Sequence, residues 1–397
     1  MSAPTTIDLS SVLLHYAEKA CQGEVRSLAQ MLPLLRFEQK PFTLRQHYQF
    51  EPFFQLKLPR RSVLMTARQV GKTHNVSASC LLRAIFRSNY HILLCEPLYA
   101  QMKQLSNVVL RGMIGDSYIR PLLQDGGCVN NINMRELRNG SRLHFVYCGG
   151  DATRVRGISG IFLCLWDEVA DMEMDVINVV AETMSAVPLG GTYLFTGTPR
   201  FTDNTLAVLY EQSSKGVVHV RCGCGKVNIA SPGHDLYRMI GKRTCICVKC
   251  GRPLDVRQSW YEFERPDRRG LFDGYHMSQV THPLHATDEE KWYELLHKME
   301  LYGKAQFDNE VLGVPCDESV KLLTQKDLEE ASHGRPNTLA AAMARRADYS
   351  SVVVGVDWGG GGKALESFTT MAVAGYKPID GKVDILYMER VPVGKTA

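Results

Sequence analysis

Thr66-Ala67-Arg68-Gln69-Val70-Gly71-Lys72-Thr73 is the stretch on which the reading of this 397-residue chain turns. An apolar, strand-like run from Ser62 to Met65 enters it, and a helical pattern from His74 to Arg87 leaves it. Strand, Gly-Lys-Thr loop and helix together make a phosphate cradle. Backbone N–H groups and the helix N-terminus attract the anion, the Lys72 ammonium adds a point charge, and the Thr73 hydroxyl can hold Mg²⁺. Gly71, Lys72 and Thr73 are therefore expected to bind a nucleoside triphosphate, and the chain is expected to be an ATP-driven enzyme. The usual loop of this kind opens with Gly, where this chain has Thr66.

A second stretch supports the first. Ile161 to Glu168 reads IFLCLWDE, a buried parallel strand with two carboxylates at its C-terminal tip. Open α/β sheets place their chemistry at that tip. Asp167, 95 residues after Lys72, is expected to support Mg²⁺, and Glu168 to orient or deprotonate the attacking water. A third strand, Gly191 to Phe195, runs into Thr196-Gly197-Thr198-Pro199. Small hydroxyl residues at a strand end suit a sensor of the γ-phosphate, with Thr196 nearest the strand.

Composition sets outer limits. Apolar residues make up 45% of the chain, enough for a substantial core. The net charge of +4 gives no global basic field. No apolar run approaches the ~20 residues that a membrane span needs, and the N-terminus lacks the basic-then-apolar pattern of a signal peptide. An intracellular, membrane-free setting is the expectation.

Seven of the twelve cysteines are scattered and read as small buried hydrophobes. The other five lie between Cys222 and Cys250. Cys222-Gly-Cys224-Gly and Cys247-Val-Lys-Cys250-Gly read as two metal knuckles, the first shortened by one residue. Cys222, Cys224, Cys247 and Cys250 are the expected ligands of a tetrahedral Zn²⁺, with Cys245 as a competitor. Four thiolates close the coordination sphere, so the metal would be structural. Residues 217–260 hold eight Lys/Arg against Asp235 and Asp255. That balance suits contact with a phosphate backbone, while a protein partner remains an alternative.

With these motifs in place, the chain resembles the large terminase subunit of tailed bacteriophages over roughly residues 40 to 360. That family's loop lacks the first Gly and has the form seen in TARQVGKT. The resemblance implies an adenine-reading Gln upstream, Gln49 in Tyr48-Gln49 or Gln46 as the alternative. It implies that Arg68 stabilises transition-state charge, as an arginine finger does. Arg156-Gly157, ahead of the acidic strand, is similar to the family's Arg-Gly, with action on a neighbouring subunit's ATP as the implied role. Gly274-Tyr275-His276 and Asn309-Glu310-Val311-Leu312-Gly313 are similar to later family segments. The implied partners are double-stranded DNA, a portal protein, a small terminase subunit and further copies in a homo-oligomeric ring. The implied setting is the host cytoplasm.

The expected architecture is α/β: a P-loop NTPase with a mainly parallel sheet over residues 1–340, carrying a zinc-ribbon insertion at 217–260. A helical lead-in is expected over 1 to about 40, and strands near 62–66, 91–95, 142–147, 161–166 and 192–196. Thr287 with Glu290 reads as the capping box of a helix reaching about residue 304. Residues 341–350 read as a linker. Then Val352 to Asp357 forms an apolar strand ending in Asp and a Gly-rich turn, with further strands at 369–374 and 383–388. This resembles the start of an RNase H-like nuclease domain, with Asp357 as the first ligand of a two-metal site. The later acids, Asp384 and Glu389, sit poorly for that role, so the nuclease domain (351–397) reads as incomplete and little DNA cleavage is expected of this chain. A DNA-dependent ATPase or helicase is the enzyme alternative, and a zinc-ribbon nucleic-acid-binding protein the non-enzyme one.

Overall fold

The computed structural model describes residues 27–117, 120–123, 126–148, 153–187, 190–317, 336–357, 369–379 and 381–391. The chain divides into two compact units, Met1–Leu322 and Leu323–Ala397.

In the first unit the expected lead-in helix lies mostly outside the described residues. Its described end is a 3₁₀ helix, Leu28–Leu34, capped by the Ser27 side chain. A short hairpin follows, β1 (Arg36–Phe37) and β2 (Lys40–Pro41). The main sheet then takes β3 (Arg61–Thr66), β4 (His91–Glu96), β5 (Met134–Glu136), β6 (Arg142–Tyr147), β7 (Leu163–Trp166) and β8 (Thr192–Gly197). It continues with β9 (Gly216–Arg221), β10 (Val227–Ile229), β11 (Trp260–Phe263) and β12 (Phe272–Met277). The order across the sheet is β10-β9-β12-β3-β8-β7-β4-β6-β5, with β11 also on β9. From β12 to β6 every neighbouring pair is parallel, while β5, β10 and β11 pair antiparallel. The five expected strands are all present. The sixth parallel strand, β12, is formed by the Gly274-Tyr275-His276 segment and is buried along its whole length beside β3.

Parallel strands read as unbroken apolar runs because helices cover both faces. Alternate residues of each strand feed two separate cores. Leu64, Ile92, Leu94, Leu163 and Leu165 pack with Phe50, Phe53 and α1 (Lys72–Phe86). Val63, Met65, Leu93, Cys95, Cys164 and Trp166 pack on the other face with α2 (Met174–Ala181) and α3 (Thr205–Gln212). Trp166 is fully buried and stacks on Phe195 at 4.9 Å between centroids. Truncating such a residue costs about 3–5 kcal/mol.

The ribbon segment is built into the first unit. Val218, Val220, Met239 and Cys245 share a third core with Trp292 and Leu295 of α4 (Glu289–Leu301). The cap of α4 is Asp288, whose carboxylate accepts from Lys291 N at 3.1 Å. The expected cap, Thr287, instead donates its hydroxyl to the Pro283 carbonyl at 2.8 Å, which ends the preceding turn. The helix start is therefore set one residue later than the capping-box pattern suggests.

The second unit holds an antiparallel sheet of β13 (Ser351–Asp357), β14 (Thr369–Lys377) and β15 (Lys382–Val391), in that order. A short helix, Leu339–Ala344, packs Ala342 with Tyr349 and Leu386. Ala342 and Tyr349 thus belong to this unit's own core, within the stretch expected to be a linker. The division between units falls at Leu322/Leu323, earlier than residue 340.

Candidate functional site

Parallel pairing puts the C-terminal ends of β3, β8, β7 and β4 along one sheet edge, with β8 between the loop strand β3 and the acidic strand β7. The loop Ala67–Gly71 is held from behind. Gln279 Nε2 donates to Arg68 O at 2.8 Å, His285 Nε2 to Gln69 O at 3.0 Å, and His47 Nδ1 to Val70 O at 3.1 Å. Burial pulls the His285 pKa down to about 4, so its ring is neutral and Nε2 carries the proton toward that carbonyl. In a trans peptide the N–H points opposite to the C=O. Turning three consecutive carbonyls outward therefore aims the N–H groups of Gln69, Val70 and Gly71 into the cleft. Gln69 and Gly71 have φ of 58° and 82°, and a Cβ on Gly71 would meet His47 Cε1 at 2.8 Å. Helix α1 then begins at Lys72 with no side-chain cap on its first-turn donors. The result is an anion-binding nest at a helix N-terminus.

Facing the nest is a buried charge cluster. The Lys72 ammonium pairs with Asp167 Oδ1 and, at 2.8 Å, with Glu168 Oε1. Asp167 also accepts from Thr73 Oγ1 at 2.8 Å, from Thr196 Oγ1 at 2.5 Å and from Glu168 N at 3.0 Å. Burial works against both charged forms, yet the Lys72 cation and these donors hold the Asp167 carboxyl below its usual range. The two carboxylates in turn hold the proton on Lys72 well above the usual lysine range, against burial. Lys72 thus stands between carboxylates that could hold a divalent cation. Thr73 and Asp167 supply the hard oxygen donors that Mg²⁺ requires.

Lys72, Thr73, Asp167 and Glu168 line a cleft of about 1010 Å³, together with Ala67, Arg68, Thr198, Pro199 and Arg200, while Thr196 is fully buried behind Asp167 and does not border it. Arg68 is largely exposed and pairs with Glu310 at 3.5 Å. Gln49 does not border the cleft. It is 2% exposed, and its amide donates to the Thr281 carbonyl at 2.9 Å. Arg156 is exposed on the turn after the 3₁₀ helix Thr153–Val155 and does not line the cleft.

Sequence reasoning missed Glu96, at the tip of β4 beside Asp167. It lines the cleft at 3% exposure, and among the described residues no hydrogen bond or ion pair reaches its carboxyl. Burial, then the nearby Asp167, push its pKa well up. His91 to Glu96, HILLCE, carries the same signal as IFLCLWDE, an apolar strand ending in an acid. The backing residues Gln279, His285 and His47 left no comparable local signature.

The four expected metal ligands converge. The Sγ atoms of Cys222, Cys224, Cys247 and Cys250 all lie within 4.8 Å of one another. Cys222–Cys250 and Cys224–Cys247 are 3.6 and 3.7 Å apart. Tetrahedral Zn²⁺ with Zn–S near 2.3 Å sets sulfurs about 3.8 Å apart, whereas a disulfide needs about 2.05 Å. The donor set therefore fits zinc. Burial opposes a thiolate at Cys247, but the N–H groups of Cys250 and Lys249 bring its pKa down to about 6. Cys245 is outside this cluster, fully buried, with its thiol pushed up to about 12.

In the second unit, Asp357 ends β13 in an exposed position. Its cross-strand partners are Thr370 and, beyond it, Arg390. Glu389 registers through Met371 with Val356, and Asp384 through Gly375 with Val352. Successive residues of a strand point to opposite faces, so both late acids project from the face opposite Asp357. Asp384 is also engaged by Tyr349 Oη at 2.5 Å and by Lys377 at 3.3 Å. Among the described residues no second carboxylate joins Asp357.

No family model and no curated protein matches the chain. Among solved structures it is similar to the Thermus phage P74-26 large terminase ATPase domain, at 14% identity, covering 67% of this chain and 92% of that one, with a TM-score of 0.42. It is similar to the HK97 bacteriophage large terminase at 12% identity, covering 90% of this chain and 66% of that one, with a TM-score of 0.49. For the large terminase of a thermophilic bacteriophage in complex with ADP the values are 13% identity, 88% and 68% coverage, and 0.41. Among the described residues no helix is long and apolar enough to cross a membrane.

Proposed function

We propose that this chain is the ATP-hydrolysing subunit of a motor that moves double-stranded viral DNA into a procapsid, the role of a phage large terminase. The observation that carries the reading is the convergence of Lys72, Thr73, Asp167, Glu168 and Thr196 beneath a loop whose N–H groups face the same cleft. In this reading Gly71 and Lys72 hold the triphosphate, and Thr73 with Asp167 hold Mg²⁺. A metal held there would supply charge neutralisation during phosphoryl transfer. Glu168 orients and deprotonates the attacking water. Arg68 leaves Glu310 to meet the γ-phosphate. Thr196, bonded to Asp167 and continuous with Thr198 to Arg200, reports the state of the site to the segment behind it. Zinc on the four cysteines holds the ribbon in shape. A portal protein, a small terminase subunit and ring assembly complete the motor. Asp357 is not assigned a cleavage role, because its strand neighbours supply no second metal ligand.

The deciding experiment is ATP hydrolysis by the zinc-loaded chain with and without linear duplex DNA, beside Lys72→Ala. Hydrolysis that DNA stimulates and that the variant abolishes is the expected result. Failure of the parent to bind ATP at all would remove the reading.

A further inference from the structure

Arg221 lies over the Trp260 ring, and the ribbon's other seven cations fall into two groups. Lys226 and Arg238 are both tied to Asp235, at 3.3 and 2.6 Å, and Arg257 to Asp255 at 3.2 Å. Lys242, Arg243, Lys249 and Arg252 are exposed, and among the described residues none makes an ion pair or a side-chain hydrogen bond. Leu236 to Leu254, which contains all four, has no Asp or Glu. Four unpartnered charges in an acid-free stretch repel one another unless an anion joins them.

Their places are fixed by short turns. Gly241 N donates to Thr244 O at 3.1 Å and Ile240 bridges Cys245, which puts Lys242 and Arg243 at one turn tip. Cys247 N donates to Arg252 O at 2.9 Å and Gly251 N to Cys247 O at 2.8 Å, closing a second turn around Lys249. A zinc centre with four thiolates carries a net charge of about −2, so Lys249 and Arg252 have a local electrostatic reason to be there. Lys242 and Arg243 lie on the other turn, between Ile240 and Cys245 and outside the Cys222–Cys224 and Cys247–Cys250 knuckles.

The Lys242–Arg243 turn is also braced. Trp292 Nε1 donates to Gly241 O at 2.9 Å, and Thr244 Oγ1 donates to Ala286 O at 2.8 Å. The bracing segment, Pro283 to Leu301, touches the phosphate loop at its other side. His285 holds Gln69 O at 3.0 Å and Lys298 Nζ reaches Gln69 Oε1 at 3.4 Å. Gln69 sits at positive φ without being glycine, a conformation that persists only when its surroundings enforce it. One rigid segment therefore joins the basic turn to the part of the loop that aims N–H groups at phosphate.

We propose that the Lys242–Arg243 turn, with Lys249 and Arg252, binds the phosphate backbone of duplex nucleic acid, and that the braced segment 283–301 relays this contact to Gln69 of the phosphate loop. The relay half rests on the function proposed above; the binding half does not.

The test uses the full zinc-loaded chain, a labelled duplex DNA and no nucleotide, with binding followed across salt concentration. Lys242→Ala/Arg243→Ala should match the parent in zinc content and melting temperature. It should lower the log–log salt slope by about 1.8, the effect of two lost phosphate contacts. A slope equal to the parent's overturns the binding surface, whether or not the chain hydrolyses ATP. ATP hydrolysis is then measured with and without the same DNA. Basal turnover should be unchanged and DNA stimulation should fall severalfold. Stimulation kept in full by a variant that has lost the slope overturns the relay.

Discussion

Asp167 and Asp357 each end an apolar strand, and there the likeness stops. Asp167 is 2% exposed and has partners on Lys72, Thr73 and Thr196, brought from two other segments. Asp357 is exposed, and the strand beside it offers Thr370. The difference lies in strand direction. In a parallel sheet all C-terminal ends share an edge, so each strand adds functional groups to one place. In an antiparallel sheet they alternate between edges, and the acids of β15 fall on the wrong face besides. An Asp after an apolar run therefore says little until the directions of its neighbours are known.

The sharpest test of the contrast is Lys72→Ala. It leaves Asp167 as an uncompensated buried charge, at a cost of about 3–5 kcal/mol at neutral pH. Asp167 has a lowered pKa, so its contribution is present above the ordinary aspartate value of about 3.9 and is lost as pH falls through the lower folded value. Lys72 has a raised pKa, so its contribution is present below about 10.4 and is lost as pH rises through the higher folded value. Urea unfolding at pH 7 and at pH 3 should show the deficit of Lys72→Ala shrinking at the lower pH. An equal deficit at both would mean that the pair does not hold the site together.

Glu168→Gln keeps the shape of a group that is only partly buried. Nucleotide binding should persist while turnover falls by about 10²–10⁴, the range for loss of a general base. Parallel loss of binding, seen by titration with a fluorescent nucleotide, would recast Glu168 as a binding group.

Glu96→Gln is expected to stabilise. Its pKa is raised, so at neutral pH the folded protein bears a cost that vanishes once the carboxyl is protonated in both states, below about 4.3. The substitution should therefore gain about 1–3 kcal/mol at pH 7, the scale of a buried polar group without a partner. The gain should fade toward pH 4. A constant gain across that range would place its origin in packing.

Asp357→Ala should do least, within about 0.5 kcal/mol, as expected for an exposed position with no partner among the described residues. Mg²⁺- or Mn²⁺-dependent DNA cleavage that this change abolished would break the comparison, because Asp357 would then have a working metal site.

Much of the first unit was legible because its signals are local. Val63 to Met65 and Leu163 to Trp166 are apolar without interruption, and only a strand buried on both faces needs that. The four ligand cysteines were legible by spacing, since two tight turns bring their thiolates together. Gln49 lies off the cleft lining, because a Tyr-Gln pair at the right distance upstream does not fix which way the amide turns; here it turns to the Thr281 carbonyl. Thr287 misled because Asp288, the better acceptor, stood next to it. Glu96 was readable in HILLCE and was passed over.

The chain's chemistry was written into short runs of residues: a loop that can hold phosphate, acids at strand ends, and thiols at metal spacing. Those depend on backbone geometry within a few residues, which sequence determines directly. The folded structure alone decided that Gln279, His285 and His47 turn the loop carbonyls outward, that β8 carries Thr196 onto Asp167, and that Asp384 and Glu389 face away from Asp357. Those outcomes depend on strand order, direction and register, and these are set by packing between segments far apart in the chain, such as those of Arg68 and Gln279.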